Sequence, residues 1–262
     1  MDLQMQGRVY FVTGGSKGIG KQIVLQLLNE KALVATCARN INELEHMHTK
    51  LPQDLRHNCA IFKCDVENKS DMQNAIKQTV QRFGWLDGIV ANAGAGSTGD
   101  VLNTTEDDWM RQYKVKMMSV LNLAHVAVEQ LKKSDAGRVV IINGVTANLP
   151  DGSMAAVSAA RAAVKQVAFM LATDLAADNI CVNTLNIGAI DTNRQEERYK
   201  KSGSKLVYAQ WLAEEVKKRK IPFKRFGVPA DVAPAVAFLL SPLASYITAS
   251  GIDVAGGLHA LP

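Results

Sequence analysis

The 262-residue chain has only four cysteines, Cys37, Cys59, Cys64 and Cys181, and no two of them form a CxxC pair. That scarcity argues against a disulfide scaffold and against a structural zinc site. No uncharged apolar run approaches the ~20 residues that a bilayer span needs. The opening Met1-Asp2-Leu3-Gln4-Met5-Gln6 lacks the basic segment and apolar stretch of a secretory signal. Internal repeats and low-complexity tracts are missing as well. What is present is 47% hydrophobic and 21% charged residues, enough apolar material for a full core. The expectation is a soluble, cytoplasmic protein in a reducing setting, folded as one domain over residues 1–262, because α/β folds often run to roughly 250 residues as one unit.

The net charge of +5 is local. Between Arg194 and Arg225 there are eleven Lys and Arg against four Glu, which leaves the rest of the chain at −2. This stretch reads either as a lid over an anionic ligand or as a solvated helix face, since Glu196, Glu197, Glu214 and Glu215 are interleaved. No base-reading module accompanies the basic residues, so a nucleic-acid partner is not expected.

Short continuous apolar runs alternate with longer helical patterns. Strands are expected at Arg8–Thr13, Ala32–Cys37, Ala60–Cys64, Leu86–Ala91, Arg138–Asn143 and Ile180–Asn186. Helices are expected at Ile19–Glu30, Lys69–Arg82, Asp108–Lys133 and Met154–Ala177, with a helical flap at about 193–225. Unbroken apolar strands alternating with helices predict a parallel, doubly wound α/β sheet of Rossmann type, covered on both faces.

Thr13-Gly14-Gly15-Ser16-Lys17-Gly18-Ile19-Gly20 follows the first strand and opens the first helix. Glycines there permit a tight turn and let backbone N–H groups approach a pyrophosphate. With this loop, Cys64-Asp65-Val66, Asn92-Ala93-Gly94, Gly188-Ala189-Ile190-Asp191-Thr192 and Gly256-Gly257, the chain resembles the short-chain dehydrogenase/reductase superfamily from about Gly7 to Gly257. The resemblance implies that Gly14, Ser16, Lys17, Gly18, Ile19 and Gly20 cradle a dinucleotide and that Asp65 and Val66 face its adenine. It also implies that Asn92, Ala93 and Gly94 line the cofactor, and that Gly188, Ile190 and Thr192 hold the nicotinamide end. The family's proline before Gly188 is Ile187 here. An NAD site wants an acid at the end of the second strand, whereas Thr36-Cys37-Ala38-Arg39 has none. Arg39 can fork onto a 2′-phosphate and Lys17 adds a second positive charge, which points to NADP(H).

The superfamily reduces carbonyls with an Asn, a Ser, a Tyr and a Lys. Aligned without gaps, those positions hold Lys116, Gly144, Val157 and Arg161, so all four are replaced. Valine has no proton to donate and glycine no side chain to hold an oxygen. Arg161 keeps a cation that could clasp the nicotinamide ribose, but it is too basic for a proton shuttle. Chemistry without the tyrosine is conceivable on an iminium-like cation, which accepts hydride at carbon and needs a carboxylate nearby. Asp151, in Leu149-Pro150-Asp151-Gly152 beside the substrate, is the candidate carboxylate, and it is also good turn chemistry. Lys116 would face the same cavity as a donor, or else be an exposed helix lysine. His46 and His48 diverge on a helix, and no metal site is expected.

A narrower similarity, in the Ser158-Ala159-Ala160-Arg161 motif, Lys116 and Ala209-Gln210-Trp211, is to a divergent bacterial branch of the superfamily. The Pro150-Asp151-Gly152 loop, the base at residue 116 and the lost tyrosine also resemble fungal enzymes of prenylated indole alkaloid pathways. Those include an NADPH-dependent iminium reductase and Diels–Alderase of malbrancheamide biosynthesis and a Pictet–Spenglerase of citrinadin biosynthesis. Three readings follow: an NADPH-dependent reductase or cyclase acting on a small iminium-like molecule, an NADP(H)-binding partner without turnover, or a non-redox isomerase or lyase. The family also implies a homotetramer or homodimer, built on the two long helices.

Overall fold

The computed structural model describes residues 1–258. Val9–Thr13 (β1), Leu33–Ala38 (β2), Cys59–Lys63 (β3), Gly88–Ala91 (β4), Arg138–Gly144 (β5), Cys181–Ile187 (β6) and Gly251–Val254 (β7) form one sheet in the order β3-β2-β1-β4-β5-β6-β7. Every pairing is parallel. The connecting helices are Gly18–Asn29 (α1), Ile41–Thr49 (α2), Gln53–Arg56 (α3), Lys69–Phe83 (α4), Glu106–Tyr113 (α5), Ser119–Leu131 (α6), Ala155–Asp174 (α7), Asn193–Ser202 (α8), Tyr208–Lys218 (α9) and Pro229–Leu240 (α10).

Alternation along a strand sends side chains to opposite faces, and β1 shows the consequence. Tyr10 and Val12 pack with Ile23, Leu27, Val236 and Leu240 of α1 and α10, whereas Val9 and Phe11 pack with Met72, Leu123, Ala127 and Ala168 of α4, α6 and α7. Both faces are covered, so both sets of strand side chains are apolar and the strands read as unbroken runs. The doubly wound architecture expected from the sequence is the one observed.

The chain runs from β1 outward to β2 and β3, then returns to β4 on the other side of β1. The strand order reverses there, and the crevice beyond the carboxyl ends of such strands is where this class of sheet binds ligands. Thr13 ties the two strand ends together. Its hydroxyl donates to Val90 O at 3.2 Å and accepts from the backbone N–H groups of Asn92 (2.9 Å) and Ala93 (3.0 Å).

Several elements depart from the sequence expectation. The helix expected over Asp108–Lys133 starts at Glu106, where the Thr105 hydroxyl accepts from Asp108 N at 3.2 Å, and it is interrupted by a π-helical turn at Lys114–Met118. The flap is two helices, α8 and α9, with Gly203 ending α8 at φ +64°. Among the described residues α3, α10 and β7 have no counterpart in the expected elements, and α2, the helix that carries His46 and His48, had no bounds from the sequence. In α2 only Leu44 and Met47 are buried, too few to mark a period. By contrast α10 is apolar all round and carries Pro234 inside it. α7 is long and apolar enough to cross a bilayer by length and composition alone, but Ala156, Val164, Ala168 and Ala172 are buried within the protein.

Candidate active site

The glycine loop after β1 is shaped by backbone geometry. Gly14 and Gly18 have φ of +74° and +56°, where a side chain is strained, and a Cβ on Gly14 would lie 3.1 Å from both Ala93 Cα and Asn92 Nδ2. Asn92 holds the loop by donating to Thr13 O (2.9 Å) and Gly14 O (3.3 Å). No side chain caps α1, so its first-turn N–H groups are left to an anion, and the cradle fits the pyrophosphate of a dinucleotide. Around the loop stand the other cofactor candidates. Asp65 is half-buried and accepts from Glu67 N at 3.0 Å, beside buried Val66. Gly188 N donates to Val254 O at 3.0 Å, Ile190 is buried, and Thr192 lies at the start of α8 against Gly18.

At the expected 2′-phosphate position Arg39 is exposed, and its guanidinium makes no hydrogen bond or ion pair among the described residues. Lys17 is less free than the sequence suggests. Its ammonium lies 3.5 Å from the Glu43 carboxylate, which also accepts from Ser16 Oγ at 3.2 Å. Glu43 was not legible as a neighbour because it belongs to the following helix, α2.

The other end of the crevice is built around Gly144. A Cβ on that residue would collide with the guanidinium of Arg161, so the arginine occupies the volume that a side chain at residue 144 would fill. Val157 is buried in α7, one turn before Arg161. Arg161 is pinned by its own backbone, whose carbonyl accepts from Asn143 Nδ2 at 3.1 Å, while its buried Nε has no partner among the described residues. Burial first, and then the charge of Arg194, push the Arg161 guanidinium down to about 10.

Lys116 sits in the π turn, a geometry that inserts one extra residue and is common at functional sites. Its ammonium donates to Ala95 O at 2.8 Å. Burial, and then the positive charges of Arg161 and Arg194, hold Lys116 well below the ordinary lysine value. Arg194, the first basic residue of the stretch read as a possible lid, reaches from the first turn of α8 across the crevice and donates to Gly94 O at 3.2 Å. Partial burial lowers its basicity, and Glu197 works in the opposite direction.

Asp151 does not join this cluster. Its carboxylate accepts from Ser153 N (2.9 Å) and Ser153 Oγ (2.6 Å), closing a turn, and its own N–H donates to Ser158 Oγ at 3.2 Å. No hydrogen bond or ion pair links it to Lys116 among the described residues. Lys116 and Asp151, expected to share a pocket, have different partners: Lys116 donates to Ala95 O, and Asp151 is tied to Ser153 and Ser158.

The family model for enoyl-(acyl carrier protein) reductase matches residues 14–259. The chain belongs to the short-chain dehydrogenase/reductase superfamily. A short-chain oxidoreductase of Pseudomonas aeruginosa PAO1, solved with NADPH and described as containing an atypical catalytic center, superposes with a TM-score of 0.92 at 32% identity, over 98% of this chain and 99% of that one. L-sorbose reductase of Gluconobacter frateurii, solved with NADPH and L-sorbose, superposes with a TM-score of 0.95 at 25% identity over 100% of both chains. A 3-oxoacyl-[acyl-carrier-protein] reductase of Aggregatibacter actinomycetemcomitans is 30% identical over 94% of this chain and 97% of its own length.

In this short-chain dehydrogenase/reductase the missing side chain at Gly144 and the guanidinium of Arg161 are sterically coupled. Restoring serine alone, in Gly144→Ser, forces the guanidinium off its seat and toward Lys116 and Arg194. We expect a loss of about 1–2 kcal/mol in urea unfolding, as for overpacking. In the Gly144→Ser/Arg161→Lys double variant the shorter side chain relieves the clash, so its loss is smaller than the sum of the single losses. Additive losses would contradict the coupling.

Proposed function

We propose that this protein is an NADP(H)-dependent oxidoreductase acting on a small molecule, with Lys116 as proton donor in place of the family's tyrosine. The observation that carries the reading is Lys116 itself: a lysine of depressed basicity, fixed by Ala95 O, beside the Gly94 turn that borders the cofactor crevice. The NADPH-bound relative with an atypical center supports it, because a superfamily fold with NADPH and without the usual center has a precedent at 32% identity. The bound NADP(H) supplies or accepts the hydride.

The remaining work falls to side chains of this chain. Gly14, Ser16, Gly18, Ile19 and Gly20 would hold the pyrophosphate, with Arg39 and Lys17 on the 2′-phosphate. Asp65 and Val66 would flank the adenine, and Asn92, Ala93, Gly94, Gly188, Ile190 and Thr192 the nicotinamide half. Lys116 has N–H groups beyond the one given to Ala95, and these can hydrogen-bond a substrate oxygen and pass it a proton. Arg161 and Arg194 add positive charge to this end of the crevice. An iminium substrate fits this environment poorly. It would meet three cations, and the nearest candidate carboxylate, Asp151, is engaged by Ser153.

The helical pair α8–α9 would act as the lid over this end. Its excess positive charge is largely solvated or paired, as Glu215 engages Arg198 at 3.0 Å and Arg219 at 3.3 Å, and Arg194 is the basic residue that enters the crevice. Four free, buried cysteines suit a cytoplasmic, reducing setting.

Lys116→Met is expected to lower kcat for NADPH-driven carbonyl reduction by about a hundredfold or more, while NADPH affinity in fluorescence titration changes little. The wild-type rate should fall as pH rises through the Lys116 pKa, since the donor must be protonated, and that limb should lie below the ordinary lysine value near ~10.4. The limb disappears in Lys116→Met. An unchanged kcat in the variant would contradict the assignment, and no NADPH oxidation with any aldehyde, ketone or imine would favour a binding protein without turnover.

We also propose a homodimer or homotetramer through α7, whose outer face leaves Phe169 57% and Met170 55% exposed. Light scattering at micromolar concentration should give a multiple of the 28.4 kDa chain mass, reduced in Phe169→Glu/Met170→Glu. A monomeric wild type rejects it.

A further inference from the structure

Lys116, Arg161 and Arg194 come from three different elements, the π turn, α7 and α8, and meet at one end of the crevice. Lys116 and Arg194 are seated on adjacent carbonyls, Ala95 O and Gly94 O, and the charges of Arg161 and Arg194 both lower the basicity of Lys116. None of the three forms a salt bridge with an Asp or Glu among the described residues. The hydrogen bonds they donate through their charged groups go to two backbone carbonyls, Ala95 O and Gly94 O. Arg161 Nε is buried and has no acceptor among the described residues. Arg194 is exposed, but Lys116 and Arg161 are partly buried, and an unpaired charge in such a position is disfavoured. An anion lying among the three would offset that cost.

We infer that the substrate carries a carboxylate, bound by the guanidinium groups of Arg161 and Arg194 next to the oxygen that Lys116 serves. This rests on the proposed reductase reading and narrows it to carboxylate-bearing carbonyl compounds. Two guanidinium groups suit a planar carboxylate, which accepts paired N–H bonds. Lys116, a single compact donor, suits the reacting oxygen.

The probe is oxamate, an unreactive carboxylate, with ethyl oxamate as its neutral ester and inorganic phosphate as the other anion. Each is titrated calorimetrically into NADP⁺-saturated protein at fixed ionic strength. Oxamate should bind at least about tenfold more tightly than the ester, and Arg194→Gln should remove about tenfold of that affinity. A bound anion raises the Lys116 pKa, so binding at alkaline pH should take up protons, read as an enthalpy that changes with buffer. Lys116→Met should lose that uptake while retaining oxamate binding.

Equal affinity for oxamate and its ester, or no binding of either, overturns the inference. So does oxamate binding only to cofactor-free protein, which would assign the cations to the cofactor's phosphates, or tight binding of phosphate with oxamate silent. These titrations need no turnover. A failure of the reductase reading appears separately, as an unaffected Lys116→Met rate, and leaves the binding result to stand or fall alone.

Discussion

The seat of the Arg161 guanidinium on Gly144 determines what the reactive end of this protein can do. The missing side chain at residue 144 leaves room for a planar cation, and Arg161 fills it. From there the arginine faces Lys116 and Arg194, and repulsion among the three adds to burial in weakening Lys116's hold on its proton. A lysine of ordinary basicity is a poor acid near neutral pH, whereas one depressed by burial and neighbouring cations is a usable one. On the proposed reading, glycine at residue 144 and arginine at residue 161 set the chemistry of this end without disturbing the sheet.

The scaffold explains why such a change is tolerated. Thr13 and Asn92 lock the ends of β1 and β4 together, and the glycine loop grows from that lock. None of these contacts involves residues 116, 144, 157 or 161. The cofactor end and the proton-transfer end meet at Gly94 and Ala95, whose carbonyls receive Arg194 and Lys116. The reactive end can thus be rebuilt while the dinucleotide cradle keeps its shape, which is how function comes to vary on a shared fold.

The architecture was legible in the sequence because strands covered on both faces must be apolar throughout, and the glycine loop stands out in that context. Elements without periodicity were not. In α2 two buried side chains leave no stripe, and α10 is apolar on every side. The π turn was invisible because it changes hydrogen bonding rather than composition; Ser119 Oγ donates to Val115 O and Lys116 O there. At the site, Lys116 and Arg161 were found by their register in the family pattern. Arg194 and Glu43 were not, since both act across the crevice on residues remote in the chain. Asp151 was attractive as a carboxylate in the right loop, but Pro-Asp-Gly chemistry had already committed it to a turn.

The central claim is that Lys116 is a lysine of depressed basicity governed by its cationic neighbours. Nitrogen-detected NMR of protein with labelled lysine ammonium groups, titrated with pH, reads this directly. Lys116 should lose its proton well below the ~10.4 of an unperturbed lysine, and Arg194→Gln should move that value upward by removing a positive charge. A Lys116 that titrates with the surface lysines, unmoved by Arg194→Gln, would contradict the account.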